Sequence, residues 1–286
     1  MDTEAGAGPT AGAVARWHER AAGSDVVLLD GFHAVKHAVR FGAGVPVALA
    51  ADKPAALALA DDLAPDVRAA LDALLREVPA EVLRGLVPRV HPTGVAALAV
   101  RPSRAANLAA LGVAGRAPDL PGAPGPAGAP TAATGTAARA PRTAPVVVLD
   151  EPRNLGNAGA VIRLAAGFGA AGVVTTGPLD PWHPTVVRGA AGLHFATAVE
   201  RLDVADLPPG PVFALDAKGE DIRGLTLPDD AVLAFGSERS GLSAALRDRA
   251  DALVSLPMRP QVSSYNLATS VGMALFHWSC GGTGRV

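Results

Sequence analysis

Short runs of apolar residues alternate along this chain with longer stretches that repeat every three to four positions. In the first third, apolar runs at 26–29, 45–50 and 95–100 predict strands, and 31–41, 55–63 and 67–78 predict helices. Together they predict a small α/β domain over residues 24–101. The Ala- and Gly-rich residues 1–23 before it are expected to form a flexible tail.

A second set of elements begins near residue 145. Apolar runs at 146–149, 173–175, 212–215, 232–235 and 253–256 predict strands, and 158–168, 242–249 and 266–278 predict helices. Strands that alternate with helices favour a mostly parallel sheet covered on both faces. The sequence therefore predicts a second α/β domain over residues 145–286, with ligands beyond the carboxyl ends of its strands.

Between the two domains the composition changes. Residues 102–144 are rich in Pro, Ala and Gly, and 121–130 are of low complexity. Such a segment has too little apolar surface to offset the entropy of ordering. It is predicted to be a linker, with residues 107–111 as a candidate remnant of structure at its start.

Composition narrows the class of protein. The chain has 286 residues, 49% of them hydrophobic, and a formal net charge of −2, so it has enough apolar material for folded cores. A single cysteine, Cys280, excludes a disulfide within the chain and a Cys-rich zinc site. The sequence has no long uninterrupted apolar run and no basic-then-apolar start, so neither a membrane span nor a signal peptide is expected. The cytoplasm is the expected location.

Three loops that follow predicted strands carry unusual polar chemistry. They are residues 154–163 (NLGNAGAVIR), 236–242 (GSERSGL) and 256–266 (LPMRPQVSSYN). Each has a purely structural alternative: Asn157 and Ser264 are candidate helix caps, and Glu238 is a candidate surface acid beside a helix N-terminus. Their joint occurrence at strand ends is far more specific than any one of them.

These three loops resemble motifs 1, 2 and 3 of the SpoU (TrmH) family of RNA 2′-O-ribose methyltransferases, within the SPOUT superfamily. The matching residues are Asn157, Gly159 and Arg163 in motif 1, Gly236, Glu238 and Gly241 in motif 2, and Leu256, Pro257, Met258, Ser264, Tyr265 and Asn266 in motif 3. Residues 29–35 and 94–98 also resemble the start and the last strand of that family's ribosomal-protein-like RNA-binding domain.

The resemblance implies fold, activity and partners. It implies a C-terminal domain with a trefoil knot and a homodimer formed through that domain. It implies S-adenosylmethionine-dependent 2′-O-methylation of a ribose in RNA, with ribosomal RNA favoured and transfer RNA as the alternative. A non-catalytic RNA-binding protein on the same fold is the alternative from a different class. No membrane partner is expected.

The resemblance also implies a set of site residues. The catalytic set is Arg163, Asn157, Glu238, Ser264 and Asn266; the cofactor set is Gly236, Ser237, Leu256, Met258, Tyr265 and Asn266; no metal is expected. A guanidinium stays protonated, so we expect Arg163 to stabilise the developing alkoxide, with the substrate phosphate as a possible proton acceptor. Whether Arg163 serves its own or the partner subunit's cofactor is open.

The chain departs from the family pattern at three positions. Two Asn-x-Gly turns stand in tandem, so Asn154 competes with Asn157 for the motif 1 role, although the spacing to Arg163 selects Asn157. Leu164 follows the arginine where threonine is usual, and Tyr265 replaces the common leucine of motif 3.

Two further patterns are weaker. Residues 167–172 match Gly-x-Gly-x-x-Gly, but the predicted order is helix, turn, strand, the reverse of a dinucleotide site, so a nicotinamide oxidoreductase is disfavoured. His33 and His37 are four positions apart on one predicted helix, where a solvated face is favoured over a metal site because no third ligand is near.

Overall fold

The computed structural model describes residues 9–113 and 142–281, which build a four-stranded and a six-stranded sheet. The first sheet contains β1 (Val26–Asp30), β2 (Val47–Ala50), β3 (Leu75–Glu77) and β4 (Val95–Val100). The accompanying helices are α1 (Pro9–Ala21), α2 (Phe32–Arg40), α3 (Lys53–Leu63), α4 (Arg68–Leu74) and α5 (Ala80–Leu86). The sheet order is β1-β4-β2-β3, with β4 antiparallel to both neighbours and β3 parallel to β2.

Two N-terminal predictions are wrong. The predicted flexible tail over 1–23 contains α1, which the buried Trp17 anchors against the first sheet, because one large apolar side chain in an Ala-rich segment suffices to hold a helix. Residues 1–8 lie outside the described residues. The predicted helix over 67–78 instead ends at Leu74, and β3 then pairs with β2, since strand pairing outweighs local helix propensity there.

The second sheet is parallel throughout. Its strands are β5 (Val146–Leu149), β6 (Gly172–Thr175), β7 (Ala198–Arg201), β8 (Val212–Asp221), β9 (Val232–Phe235) and β10 (Ala252–Ser255), in the order β10-β8-β9-β5-β6-β7. The helices of this domain are α6 (Arg104–Leu111), α7 (Leu155–Gly167), α8 (Pro184–Gly189), α9 (Ala244–Arg249) and α10 (Leu267–Cys280). The central strands β5 and β9 are buried at every position, as the apolar runs of a sheet covered on both faces require. The prediction of a parallel α/β domain is confirmed.

The predicted linker over 102–144 begins with a helix, where residues 107–111 were the candidate remnant of structure. Helix α6 occupies Arg104–Leu111, and the Asn107 side-chain amide donates to the carbonyl of Val199 in β7 at 2.9 Å. Leu111 is fully buried in the core of the second domain. The low-complexity residues 121–130 lie outside the described residues.

The two sheets share one apolar core. Side chains from β1 and α2 belong to the same cluster of buried residues as those of β5 and α7. Two polar contacts cross the same junction: Arg188 pairs with the buried Asp30, and Nδ1 of His37 lies 2.8 Å from the carbonyl oxygen of Ala191. The N-terminal domain is therefore fixed against α8 and the turn that follows it.

Among the described residues, no helix is both long and apolar enough to cross a membrane. Residues 167–172 run from the end of α7 into β6, in the order helix, turn, strand.

Candidate active site

Three loops meet at the carboxyl edge of the parallel sheet. They follow β5, β9 and β10, and they contain the three sequence motifs. Because carboxyl ends of parallel strands lie at one edge, loops far apart in sequence become neighbours there.

Asn157 links all three loops. Its Nδ2 donates to Oε1 of Glu238 at 2.7 Å, and its Oδ1 accepts from Nδ2 of Asn266 at 3.1 Å. A carboxamide side chain can donate to a carboxylate and accept from an amide at the same time, which neither aspartate nor leucine can do. The residue type at this position is therefore matched to its two partners.

The orientation of this chain of amides is set by a helix cap. Oδ1 of Asn266 accepts from the backbone amides of Ala268 and Thr269, at 2.9 and 3.4 Å, and so caps α10. The Nδ2 of Asn266 must then face Asn157, which turns the Nδ2 of Asn157 towards Glu238. The cap of the last helix is thus Asn266, and Ser264, the alternative cap, is not used.

The tandem turns of motif 1 have different roles. Oδ1 of Asn154 accepts from the backbone amide of Asn157 at 3.0 Å, so Asn154 is the N-cap of α7. Asn157 is the third residue of the helix and contacts the other two loops. Of the two candidates, only Asn157 is placed to couple motif 1 to the other motifs.

Motif 2 is a tight loop that requires glycine. Ser237 and Gly241 exchange backbone hydrogen bonds of 3.0 Å, and a Cβ on Gly236 would collide with the backbone of Gly241 and Leu242. Glu238 projects from this loop towards Asn157. The loop therefore brings the carboxylate of Glu238 to motif 1. Its backbone is packed too closely to admit a side chain at position 236.

A buried carboxylate fixes this loop to the sheet. Asp150, at the end of β5, accepts from the hydroxyl of Thr176 at 2.8 Å and from the backbone amide of Ser243 at 2.6 Å. Ser243 in turn caps α9. Sequence reasoning missed Asp150, although a charged residue directly after an apolar strand was a visible signal.

A cavity of about 470 Å³ opens beside these loops, between β8, β9 and α10. All six predicted cofactor residues line it: Gly236, Ser237, Leu256, Met258, Tyr265 and Asn266. Glu238 and Ser264 line it as well. Sequence reasoning missed the wall from β8, formed by Leu215, Asp216 and Ala217, because that strand is followed by no recognisable motif.

Asp216 is held as an anion in this wall. The backbone amide of Lys218, which donates to it at 2.9 Å, lowers the pKa of Asp216, and Arg247 lowers it further. Tyr265 closes another part of the cavity, where its hydroxyl donates to the carbonyl of Pro257 at 2.9 Å. A leucine at this position could not make that bond, so the tyrosine ties the motif 3 loop to itself.

Arg163 is not brought into this cavity. It lies exposed on α7, in a separate groove of about 580 Å³ lined also by Ala160, Leu164, Gly167, Phe168 and Gly189. The structure thus joins Asn157, Glu238 and Asn266 directly, places Ser264 on the same cavity, and leaves Arg163 apart. No cluster of three or more His, Cys, Asp or Glu side chains that could hold a metal occurs in the described ranges.

Comparison with known proteins finds similarity in the second domain. Residues 144–276 match the model of the SpoU rRNA Methylase family. The chain is similar to the 23S rRNA (guanosine(2553)-2'-O)-methyltransferase RlmP of Bacillus subtilis, at 29% identity over 46% of this chain and 56% of that protein. It is also similar to the 23S rRNA (adenosine(1067)-2'-O)-methyltransferase of Streptomyces azureus, at 32% identity over 48% of this chain and 54% of that protein. The chain thus matches about half the length of these relatives.

The fold likeness extends over both domains. The crystal structure of the SpoU methyltransferase AviRb from Streptomyces viridochromogenes, in complex with the cofactor AdoMet, superimposes with a TM-score of 0.64 at 21% identity. The superposition covers 93% of this chain and 96% of that one, which shows a shared fold. The match to the SpoU rRNA Methylase family model is confined to residues 144–276, slightly less than half of this chain.

Proposed function

We propose that this protein transfers a methyl group from S-adenosylmethionine to the 2′-oxygen of a ribose in ribosomal RNA. The observation that carries the proposal is the bridge from Asn157 to Glu238 and Asn266, which joins three family motifs at the edge of one cavity. The two relatives described above are named as methyltransferases of 23S rRNA, and their target bases differ. The proposal therefore names the ribose and not the base.

The cavity suits S-adenosylmethionine in size and lining. Its volume of about 470 Å³ lies within the usual range of small-molecule sites. The close-packed Gly236 leaves backbone accessible where a side chain would fill the space, and Leu215, Leu256 and Met258 supply apolar walls. Bound there, the sulfonium of the cofactor would supply an electrophilic methyl group without a metal.

The protein's own residues then have separable roles. We assign Asn157, Glu238 and Asn266 to holding the three loops in register, and Gly236, Ser237, Leu256, Met258, Tyr265 and Asn266 to the cofactor. Ser264 faces the same cavity and is assigned to the ribose. Arg163 is assigned to stabilising negative charge that develops on the 2′-oxygen, since a guanidinium remains a donor throughout.

The position of Arg163 favours a dimer in which it serves the partner subunit. An apolar groove beside it is lined by Leu164 from α7 and by Ala268, Thr269, Gly272, Met273 and Phe276 from α10. Phe276 is 60% exposed, unusual for so large an apolar side chain. We propose that a second copy covers this face, which would bring each Arg163 towards the other subunit's site.

The proposal also covers the N-terminal domain and the chain path after β10. The N-terminal domain, with its mixed sheet, is proposed to bind RNA as a ribosomal-protein-like module. The segment after β10 is proposed to thread the trefoil knot of the superfamily, supported by the fold likeness and by the return of this segment against β8 and β9 at the cavity.

The test is to map 2′-O-methylated positions in cellular RNA with and without this protein, together with methyl transfer in vitro from labelled S-adenosylmethionine. Loss of one ribosomal position without the protein is the expected result. Loss of a transfer RNA position would establish the alternative substrate. Tight RNA binding without methyl transfer would favour a non-catalytic protein, and stabilisation by a nicotinamide dinucleotide but not by S-adenosylmethionine would overturn the family-based activity.

A further inference from the structure

The helices α7 and α8 cross at two glycines, and this crossing decides what Arg163 faces. A Cβ on Gly159 would lie 2.7 Å from the carbonyl oxygen of Val186 and 2.9 Å from Cα of Gly189, so only glycine permits this approach. Arg163 follows Gly159 by one helical turn and therefore lies on the same face of α7. It lines its groove together with Gly189, at the end of α8.

The N-terminal domain approaches the same place from the other side. Just beyond α8, Gly192 lies against the backbone of Ala34 in α2, where a Cβ would be 2.6 Å from the carbonyl oxygen. His37 of α2 contacts the carbonyl of Ala191. His33 and Lys36 are on this helix, three positions apart, and so lie on one face of it. The junction between the domains is therefore bordered by α2, which carries His33 and Lys36, and by α7, which carries Arg163.

Electrostatic effects on these groups agree with the geometry. Burial lowers the pKa of Lys36, and the positive charges of Arg40 and Arg163 lower it further, while Asp66 acts in the opposite direction. Burial likewise lowers the pKa of His33, with further contributions from Lys36, His91 and Arg163. The junction is therefore a site of concentrated positive charge.

These cations lack acidic partners. Lys36 is only 8% exposed, and within residues 9–113 and 142–281 neither its ammonium nor the guanidinium of Arg163 makes a hydrogen bond or salt bridge. The nearby carboxylate of Asp66 is already bound by Arg40 through two hydrogen bonds of 2.7 and 2.5 Å. The stem of Lys36 is buried while its ammonium keeps access to solvent, so the charge is available to an anionic ligand.

We propose that Lys36, Arg163 and His33 form a phosphate site that holds the RNA backbone at the junction between the two domains. The inference rests on the proposed function and adds a subsite to it. Arginine can bind two phosphate oxygens and lysine can add a compact charge, so the pair suits a phosphodiester. Residues from both domains are needed, which makes the domain junction itself part of the RNA-binding surface.

The test measures binding of a fluorescein-labelled, mixed-sequence RNA of about 20 nucleotides over a series of salt concentrations. Lys36→Met should weaken binding roughly threefold to tenfold and reduce the slope of log affinity against log salt by about 0.7 to 0.9. Lys36→Arg should retain both affinity and slope. The matched control is Arg84→Met, which removes an exposed charge from α5, a helix on the opposite face of the same sheet. It should leave the slope unchanged.

Three further readouts separate the outcomes. Lys36→Met should leave S-adenosylhomocysteine affinity unchanged and should not lower the unfolding temperature, because methionine replaces most of the buried stem of the lysine. Inorganic phosphate at 10 mM should compete only weakly; displacement of RNA at that concentration would indicate a free-phosphate site and overturn the assignment to RNA. If wild-type protein binds RNA and Lys36→Met binds it with the same slope, or if Lys36→Arg loses binding too, the phosphate site is wrong. If wild-type protein binds no RNA, the proposed function itself fails.

Discussion

Asn157 and Glu238 are hydrogen-bonded at 2.7 Å although 81 positions separate them in the chain. Asn157 also accepts a hydrogen bond from Asn266, 109 positions away, so a single carboxamide connects three loops. The cavity depends on the relative placement of those loops. We therefore expect even a substitution of similar volume at Asn157 to impair methyl transfer.

Replacing Asn157 by aspartate should lower the single-turnover rate of methyl transfer by at least roughly tenfold. The substitution places two carboxylates within hydrogen-bond distance, and their repulsion should separate motif 1 from motif 2. Adding Glu238→Gln in the same protein should restore part of the rate, because an amide can donate to the new carboxylate. The matched control is Asn154→Ala, which removes only the cap of α7 and should cost about 1 kcal/mol of stability with little change in rate. Equal rates for wild type and Asn157→Asp would contradict the linking role.

Gly236→Ala should abolish measurable binding of S-adenosylmethionine. The new Cβ would collide with the backbone of Gly241 and Leu242, which cannot yield without opening the motif 2 loop. Gly224→Ala is the control, since a Cβ there meets no atom within 4 Å and its backbone has no positive φ. Isothermal titration of both variants checks this. For wild type, ligand at 100 times its dissociation constant should stabilise the fold by about 2.7 kcal/mol.

Arg163→Ala should reduce turnover by roughly 10²-fold or more, as the loss of a transition-state donor does. Its cofactor affinity should hardly change, because Arg163 lines a separate groove. Arg163→Lys keeps the charge but loses the forked geometry, so a partial defect is expected. Near-normal transfer by Arg163→Ala under saturating RNA and cofactor would remove this residue from the reaction.

Mixed dimers of Arg163→Ala and Gly236→Ala subunits show whether Arg163 acts in the active site of its own subunit or in that of its partner. The only intact cavity then belongs to the subunit that lacks Arg163. Recovery of activity on mixing is expected, since the proposed dimer supplies the arginine from the partner. Persistent inactivity of dimers whose formation is verified by native mass spectrometry would assign Arg163 to its own subunit's site.

Phe276→Asp should convert the proposed dimer to a monomer. The side chain is 60% exposed on the apolar face of α10, and a carboxylate there would be desolvated in an interface between two copies. Phe41→Asp is the control, because Phe41 is also an exposed aromatic, at 45%, but lies at the end of α2 in the N-terminal domain. Sedimentation equilibrium measures both, and a wild-type monomer at micromolar concentration would refute the dimer.

Stability should fall as the pH is lowered from about 6.5 towards 4, in part through His194. Complete burial lowers the pKa of His194 to about 4, whereas in the unfolded chain the value is 6.5. Between these values the unfolded state binds a proton that the folded state does not, so acid favours unfolding by up to about 3 kcal/mol. His194→Gln should flatten this part of the profile of unfolding free energy against pH. An unchanged difference between pH 7 and pH 4 in the variant would show that other groups cause it.

Local patterns in the sequence predicted five of the six strands of the second domain and its three motif loops, but not β7 or α8. The runs at β5 and β9 are apolar at every position, and that property depends only on being covered on both faces. In the rest of the chain, α1, β3 and α5 were not predicted, and α6 was predicted only as a candidate remnant of structure over residues 107–111. These elements are short or have a weak apolar pattern, and contacts with distant segments stabilise them. For example, β3 pairs with β2, and Asn107 of α6 binds the carbonyl of Val199.

By itself, the sequence determined which loops would meet at the carboxyl edge of the second sheet, because motif spacing and strand-end position are local properties. All six predicted cofactor residues line one cavity. Only the tertiary structure decided what each residue contacts: that Asn154 caps a helix while Asn157 joins the loops, that Asp150 anchors motif 2, and that Arg163 lines a groove separate from the cavity. The reason is physical. These contacts connect segments brought together by the order of parallel strands, and the pattern along a single strand or helix contains no information about which strand will lie beside it.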